Sequence, residues 1–204
     1  MDSQIIGLVS VRYFFLVILF LLVSCQSRTG TDYYLERGNN FVRLPSLTQS
    51  PTLVLQQLLT VNTDVSPNSE SVLTALELSP QHLTLNVFST LGIKLAQVEY
   101  DGEQLRVTQQ LPFAEQTLPP INQVVGDILL SVLPLKTWQH YLPKDWNLVQ
   151  QGLRRNLLDD KGDAVITILY DKASPQQVVS IQHHRFNYMI SIQNLVVEYN
   201  KNAK

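Results

Sequence analysis

The apolar residues of this chain change their period along its length. From Ser71 to Leu111 they alternate with polar ones. Val72, Leu76 and Leu78 share one face; Leu83, Leu85 and Val87 alternate with His82, Thr84 and Asn86; Ala96, Val98 and Tyr100 follow, then Leu105 and Val107. Period two marks half-buried strands. The runs are cut at Ser79-Pro80-Gln81, at Ser89-Thr90-Leu91-Gly92 and at Asp101-Gly102, the last a strong hairpin signal because glycine accepts positive φ. After Pro119-Pro120 the period lengthens. Ile121, Val124, Val125, Ile128, Leu129, Val132 and Leu133 form one stripe of a helix that begins at proline and ends before Pro134. Its polar face carries Asn122, Gln123 and Asp127, and a shorter helix is predicted over 135–141. Strands resume after Trp146. Ala164, Ile166, Ile168 and Tyr170 alternate with Val165, Thr167 and Leu169, and both sets are largely apolar, as for a strand covered on both faces. Val179 and Ile181 mark the next strand, and Phe186, Tyr188, Ile190 and Ile192 one face of the last. Earlier, LVLQQLLTV at 53–61 fits strand or helix and is taken as strand. The pattern predicts a mainly β domain, a curved antiparallel sheet with helices inserted mid-chain, rather than βαβ units.

The N-terminus is a separate regime. Of its first 24 residues 17 are hydrophobic, and Tyr13 to Val23 is an unbroken apolar run of 11 preceded by Arg12. That is short for a bilayer-spanning helix, which needs about 20 residues, and fits the core of a signal peptide. The alternative is an uncleaved anchor counted from Ile5. Leu22-Val23-Ser24-Cys25 resembles the lipobox of bacterial lipoproteins: an apolar residue, a tolerant position, a small residue, then the thiol that takes a diacylglyceryl group. This resemblance implies that 1–24 is a lipoprotein signal peptide and that Cys25 becomes the acylated, palmitate-bearing N-terminus. Two or three acyl chains hold a protein to a membrane stably where one does not. Gln26 follows Cys25 where aspartate would favour retention at the inner membrane, so the expected location is the outer membrane, with the domain facing the periplasm. Residues 25–32 read as a polar tether and 33–204 as the folded domain.

Composition narrows the function classes. The 204 residues carry a net charge of −2 and one cysteine. This excludes an internal disulfide framework and a cysteine-rich zinc module, and argues against nucleic acid as a partner. No constellation for catalysis is present. His183-His184 are adjacent in a strand and point to opposite faces; His82 and His140 are isolated; the aspartates of Asp159-Asp160-Lys161-Gly162-Asp163 read as a solvated turn, and Arg154-Arg155 as a surface pair. No H-E-x-x-H, G-x-S-x-G, G-x-G-x-x-G or P-loop pattern occurs. The expectation is a protein that is not an enzyme and uses no metal and no cofactor.

Three segments are similar to the LolA/LolB-like carriers, and most to the outer-membrane receptor LolB: Ser89-Thr90-Leu91-Gly92-Ile93-Lys94-Leu95, the stretch VVGDILLSVLPLKTWQHYL at 124–142, and the last strand at 183–197. Behind a lipobox they resemble an uncharacterised family of LolB-like bacterial lipoproteins. The resemblance implies a half-open antiparallel β-barrel covered by a helical lid. It implies that Leu91 and Gly92 form a loop that enters the membrane, and that Val125, Ile128, Leu129 and Val132 belong to the lid helix. Members of that family accompany aryl polyene biosynthesis genes, so the implied cargo is the acyl chains of a lipoprotein or of an aryl polyene lipid. A periplasmic carrier protein is a candidate delivering partner. Candidates for the cavity face are Leu85, Val87, Val98, Ile168 and Ile190. A structural or assembly lipoprotein, using the same sheet to bind a protein partner, is the alternative.

Overall fold

The computed structural model describes residues 28–29, 33–37, 40–63, 66–110, 119–171 and 177–199. The expected signal peptide, 1–24, and Cys25 lie outside the described residues. The first described elements are strands β1 (Arg28–Thr29), β2 (Tyr33–Arg37) and β3 (Asn40–Arg43). A meander follows: β4 (Leu53–Thr63), β5 (Ser66–Leu78), β6 (Leu83–Ser89), β7 (Lys94–Tyr100) and β8 (Leu105–Gln110). Helices α1 (Ile121–Val132) and α2 (Leu135–Trp138) come next. A second meander closes the fold: β9 (Asn147–Gln151), β10 (Arg154–Leu158), β11 (Ala164–Tyr170), β12 (Val178–His183) and β13 (Tyr188–Tyr199).

Among the described residues, eleven strands make one open sheet in the order β1-β8-β7-β6-β5-β4-β13-β12-β11-β10-β9, and β2 and β3 pair separately. Every pairing is antiparallel. The two meanders join where β13 lies along β4, from Tyr188↔Thr63 to Tyr199↔Leu53. The ambiguous 53–61 stretch is therefore a strand at the middle of the sheet.

Alternation puts one face inside. Leu53, Leu78, Leu83, Tyr100 and Leu105 form one buried cross-strand row, and Leu55, Leu76, Leu85, Val98 and Val107 the next. Burying a side chain of this size contributes roughly 1.5–3 kcal/mol, so rows of this kind fix the register. A one-residue slip would turn them all to solvent. The β6–β7 and β7–β8 hairpin turns form where glycine stands. Gly92 has φ +81° and Gly102 φ +93°, and Asp101 Oδ1 accepts from the backbone N–H of Glu103 (2.9 Å) and Gln104 (2.8 Å).

Several expectations are corrected. Phe186 lies in the turn before β13, not in the strand. Val179 and Ile181 lie in β12 as expected, and the buried residues of that strand are Val178, Ile181 and His183. The register shift between Leu169 and Tyr170 inserts an extra residue in β12 and changes its facing. Ala164 is exposed, so β11 is covered on both faces only in part. The shorter helix ends at Trp138, not at Tyr141. Within 25–32, Arg28 pairs with Val107 and Thr29 with Arg106.

Candidate functional site

The apolar face of the sheet, α1 and the β2–β3 hairpin share one core. Val125, Leu129, Leu130, Leu133 and Trp138 are fully enclosed in it. Ile128 is half-buried and packs against it, and Val132 is buried. Among the described residues no helix is long and apolar enough to cross a membrane.

The polar stripe of α1 does not face solvent. Gln123, Asp127 and Ser131 are spaced four residues apart, so they line up along the helix, and all three are buried. Asp127, 1% exposed, sits between two tyrosines from different elements. Tyr34 of β2 donates its hydroxyl to Asp127 Oδ1 at 2.7 Å, and Tyr188 of β13 donates to Oδ2 at 2.6 Å. Burial raises the Asp127 carboxyl to about 7, even though both hydrogen bonds favour the anion. Burial first, and the Asp127 charge second, push both phenols well above their ordinary value. Gln123 Oε1 accepts from the Leu35 backbone N–H at 3.2 Å. Leu35 holds φ +62°, a left-handed conformation that costs a non-glycine residue about 1–2 kcal/mol. The bend there lets Tyr34 and Leu35, consecutive in one strand, both turn inward, and neither is exposed. The Tyr34 ring lies over Gly126, where any Cβ would fall on it.

The C-terminal end of α1 is held by the sheet. A helix leaves its last carbonyls unpaired and carries partial negative charge there, and α1 has no basic residue in its last turn. Arg155 of β10 supplies both donors and charge. Its Nη1 donates to the carbonyls of Leu130 (2.6 Å), Ser131 (3.2 Å) and Leu133 (3.0 Å). The Tyr170 hydroxyl adds a bond to Ser131 O at 2.8 Å. The Arg155 guanidinium lies 5.6 Å from the centre of the Tyr170 ring. Burial lowers the Arg155 pKa and raises that of Tyr170 to about 12. Arg155 is 5% exposed, so the reading of Arg154-Arg155 as a surface pair is wrong for Arg155 and right for Arg154. Gln123 and Asp127 are likewise not a solvent face. A hint lay in the sequence: α1 has almost no polar residues outside this line, the composition of a helix buried all round.

The five cavity candidates are all buried, none more than 4% exposed. Leu85, Val87, Val98 and Ile168 belong to the core that includes Val125, Leu129 and Val132, while Ile190 joins a smaller cluster with Val61 and Tyr188. Leu85 pairs with Val98, and Ile168 and Ile190 flank Ile181. In this structure these side chains are covered. Clefts among the described residues include two that contain no cavity candidate. One, of about 310 Å³, is lined by Asn62, Thr63, Gln182, His184, Asn187 and Tyr188, among others. The other, of about 290 Å³, lies between 46–49 and α2, beside Lys136 and His140.

Leu91 and Gly92 stand apart from this core at the tip of the β6–β7 hairpin. Leu91 is 87% exposed and Ile93 55%. The tip is shaped by Gly92 N–H to Ser89 O (2.9 Å) and Ser89 N–H to Ile93 O (2.8 Å). His183 and His184 diverge as expected: His183 is enclosed and His184 exposed. Burial, with the charges of Arg185 and His184, holds His183 down at about 3. The aspartate-rich loop is a hairpin turn in which Asp159 Oδ1 accepts from the backbone N–H of Lys161 and Asp163, both at 2.9 Å.

The family model for DUF3261, described as a protein of unknown function, matches residues 54–196, from β4 to near the end of β13. The chain belongs to the DUF3261 family. The matched stretch includes Asp127, Arg155 and Tyr188, while Tyr34 and β1 precede it. No curated protein matches this DUF3261 chain. Among solved structures, it is similar to a LolA superfamily protein from Nitrosomonas europaea at 8% identity and a TM-score of 0.42, covering 75% of this chain and 87% of that one. A DUF1329 family protein from Desulfovibrio piger aligns at 9% identity and a TM-score of 0.35, covering 78% and 89%. Likenesses this distant carry no conclusion about what the DUF3261 chain binds.

Proposed function

We propose that this protein is an outer-membrane lipoprotein, anchored through Cys25, that shelters acyl chains of a lipid or lipoprotein against the apolar face of its sheet and helps insert them at the membrane. The observation that carries this reading is the large open sheet whose apolar face shares a core with the apolar helix α1. Each methylene of an acyl chain left in water costs about 0.8 kcal/mol, which gives a carrier its reason to exist. The core that α1 shares with the sheet includes Leu85, Val87, Val98 and Ile168, an apolar lining of the kind ligand sites use. Because these side chains are covered here, cargo enters only when α1 moves. Its ties at Asp127 and Arg155 are hydrogen bonds, which break and re-form. Leu91 and Gly92 touch the bilayer at the point of transfer. The cargo is a lipoprotein or an aryl polyene lipid, a periplasmic carrier delivers it, and no catalysis, cofactor or nucleotide enters the step.

The burial of these side chains favours a second reading, in which the same domain is a packed scaffold that binds a protein partner. The two are separated by placing the acylated protein in nanodiscs and titrating it with a pyrene-labelled diacyl lipopeptide. Saturable binding with a blue-shifted probe supports the carrier. Absence of binding, with the fold intact by circular dichroism, supports the scaffold.

A further inference from the structure

The edge strand β1 relates the N-terminal anchor to one end of the sheet. β1 runs antiparallel to β8 through Arg28↔Val107 and Thr29↔Arg106. Moving up β8 from Val107 to Gln110 leads along β7 from Val98 to Ala96, and so toward the β6–β7 tip, where Phe88 pairs with Lys94. Because β1 runs the other way, its N-terminal end at Arg28 points toward that same tip. Cys25 is three residues before Arg28, within about 11 Å of chain reach. The two ends of these strands differ in chemistry. The β6–β7 tip presents Leu91 and Ile93 with no acidic residue from Ser89 to Lys94. The β7–β8 turn at the opposite end presents exposed Asp101 and Glu103. Exposure alone does not choose a membrane contact, since Leu153 is also exposed, at the β9–β10 turn. That turn lies at the far edge of the sheet from β1.

We infer that β1 is a positioning strand, which seats the β6–β7 end of this sheet edge on a lipid bilayer with Leu91 and Ile93 entering it together. The inference rests on the reading of Cys25 as the lipid anchor. Its partner is the bilayer itself, and pairing with β8 fixes the pose.

In the mature protein the Cys25 sulfur is held in a thioether to the diacylglyceryl group, so an introduced cysteine labels uniquely. Ile93→Cys, Glu103→Cys and Leu153→Cys proteins carrying an environment-sensitive fluorophore are placed in liposomes with spin-labelled lipids. The expected result is several-fold stronger quenching at position 93 than at 103 or 153. A twelve-residue Gly-Ser segment inserted between Gln26 and Ser27 reduces that difference several-fold. Equal quenching at the three positions overturns the inference. So does quenching at 93 that the insertion leaves unchanged, and so does a mature protein without acyl mass on Cys25. Lipopeptide binding by the same samples is read separately. Its loss with the quenching pattern intact counts against the carrier alone, and its presence with the wrong pattern counts against the pose alone.

Discussion

The Tyr34 hydroxyl and the Asp127 carboxylate lie 93 positions apart in sequence and meet at 2.7 Å inside the core. The bond joins the N-terminal hairpin to α1, and the second Asp127 oxygen joins α1 to β13 through Tyr188. With its carboxyl at about 7, raised by burial, Asp127 binds its proton more tightly folded than unfolded, where about 3.9 is normal. The stability it contributes is full below about pH 4 and is lost as the pH rises toward 7, at no more than about 1.4 kcal/mol per unit. Urea unfolding from pH 4 to 8 is expected to show this fall, and Asp127→Asn to flatten it. An unchanged slope in the variant would remove Asp127 as its source.

Gly126→Ala reverses the usual sign of a helix substitution. In an open helix the change to alanine stabilises by about 1 kcal/mol. Here the new methyl falls on the Tyr34 ring, and overpacking of this kind costs about 1–3 kcal/mol. The expected outcome is a lower urea midpoint, and a double variant with Tyr34→Ala that loses less than the sum of the two single losses. Additive losses in the double variant would mean that the two residues do not meet.

Arg155→Met removes the donor shared by three carbonyls at the end of α1. Buried acceptors left unpaired cost about 1–3 kcal/mol each, so a loss of a few kcal/mol is expected by urea unfolding. Arg155→Lys keeps the charge without the planar fork and should fall between the two. Wild-type stability in Arg155→Met would show that the bonds contribute nothing net.

Leu91→Glu should separate folding from delivery. At 87% exposure the change is expected to move stability by no more than about 0.5 kcal/mol, while transfer of labelled lipopeptide from the protein to liposomes slows. Transfer at the wild-type rate would take membrane insertion away from this loop.

How much was legible in the sequence follows from what sets each feature. The strands from Val72 to Val107 and the stripe of α1 were readable because burial writes a period of 2 or 3.6 into the chain. The inward turn of Val178 was not, since a bulge changes facing without leaving an apolar mark. Arg155 and Asp127 were misplaced for a different reason. A charged side chain reads as solvent-facing unless its partners are known, and those partners, Leu130 O and the Tyr34 and Tyr188 hydroxyls, are 25 to 93 positions away. The exposed tip at Leu91 was visible as a break in alternation, and the direction of β1 relative to that tip emerges only from its register with β8.

The acyl-carrier reading is tested most directly by native mass spectrometry of the mature protein released from membranes in mild detergent. The account predicts two lipid-dependent masses: a covalent one on Cys25, and a second, non-covalent acyl-bearing molecule bound to a large fraction of the protein and lost on collisional activation. A protein that bears the covalent mass alone, across preparations that retain the fold, would contradict it.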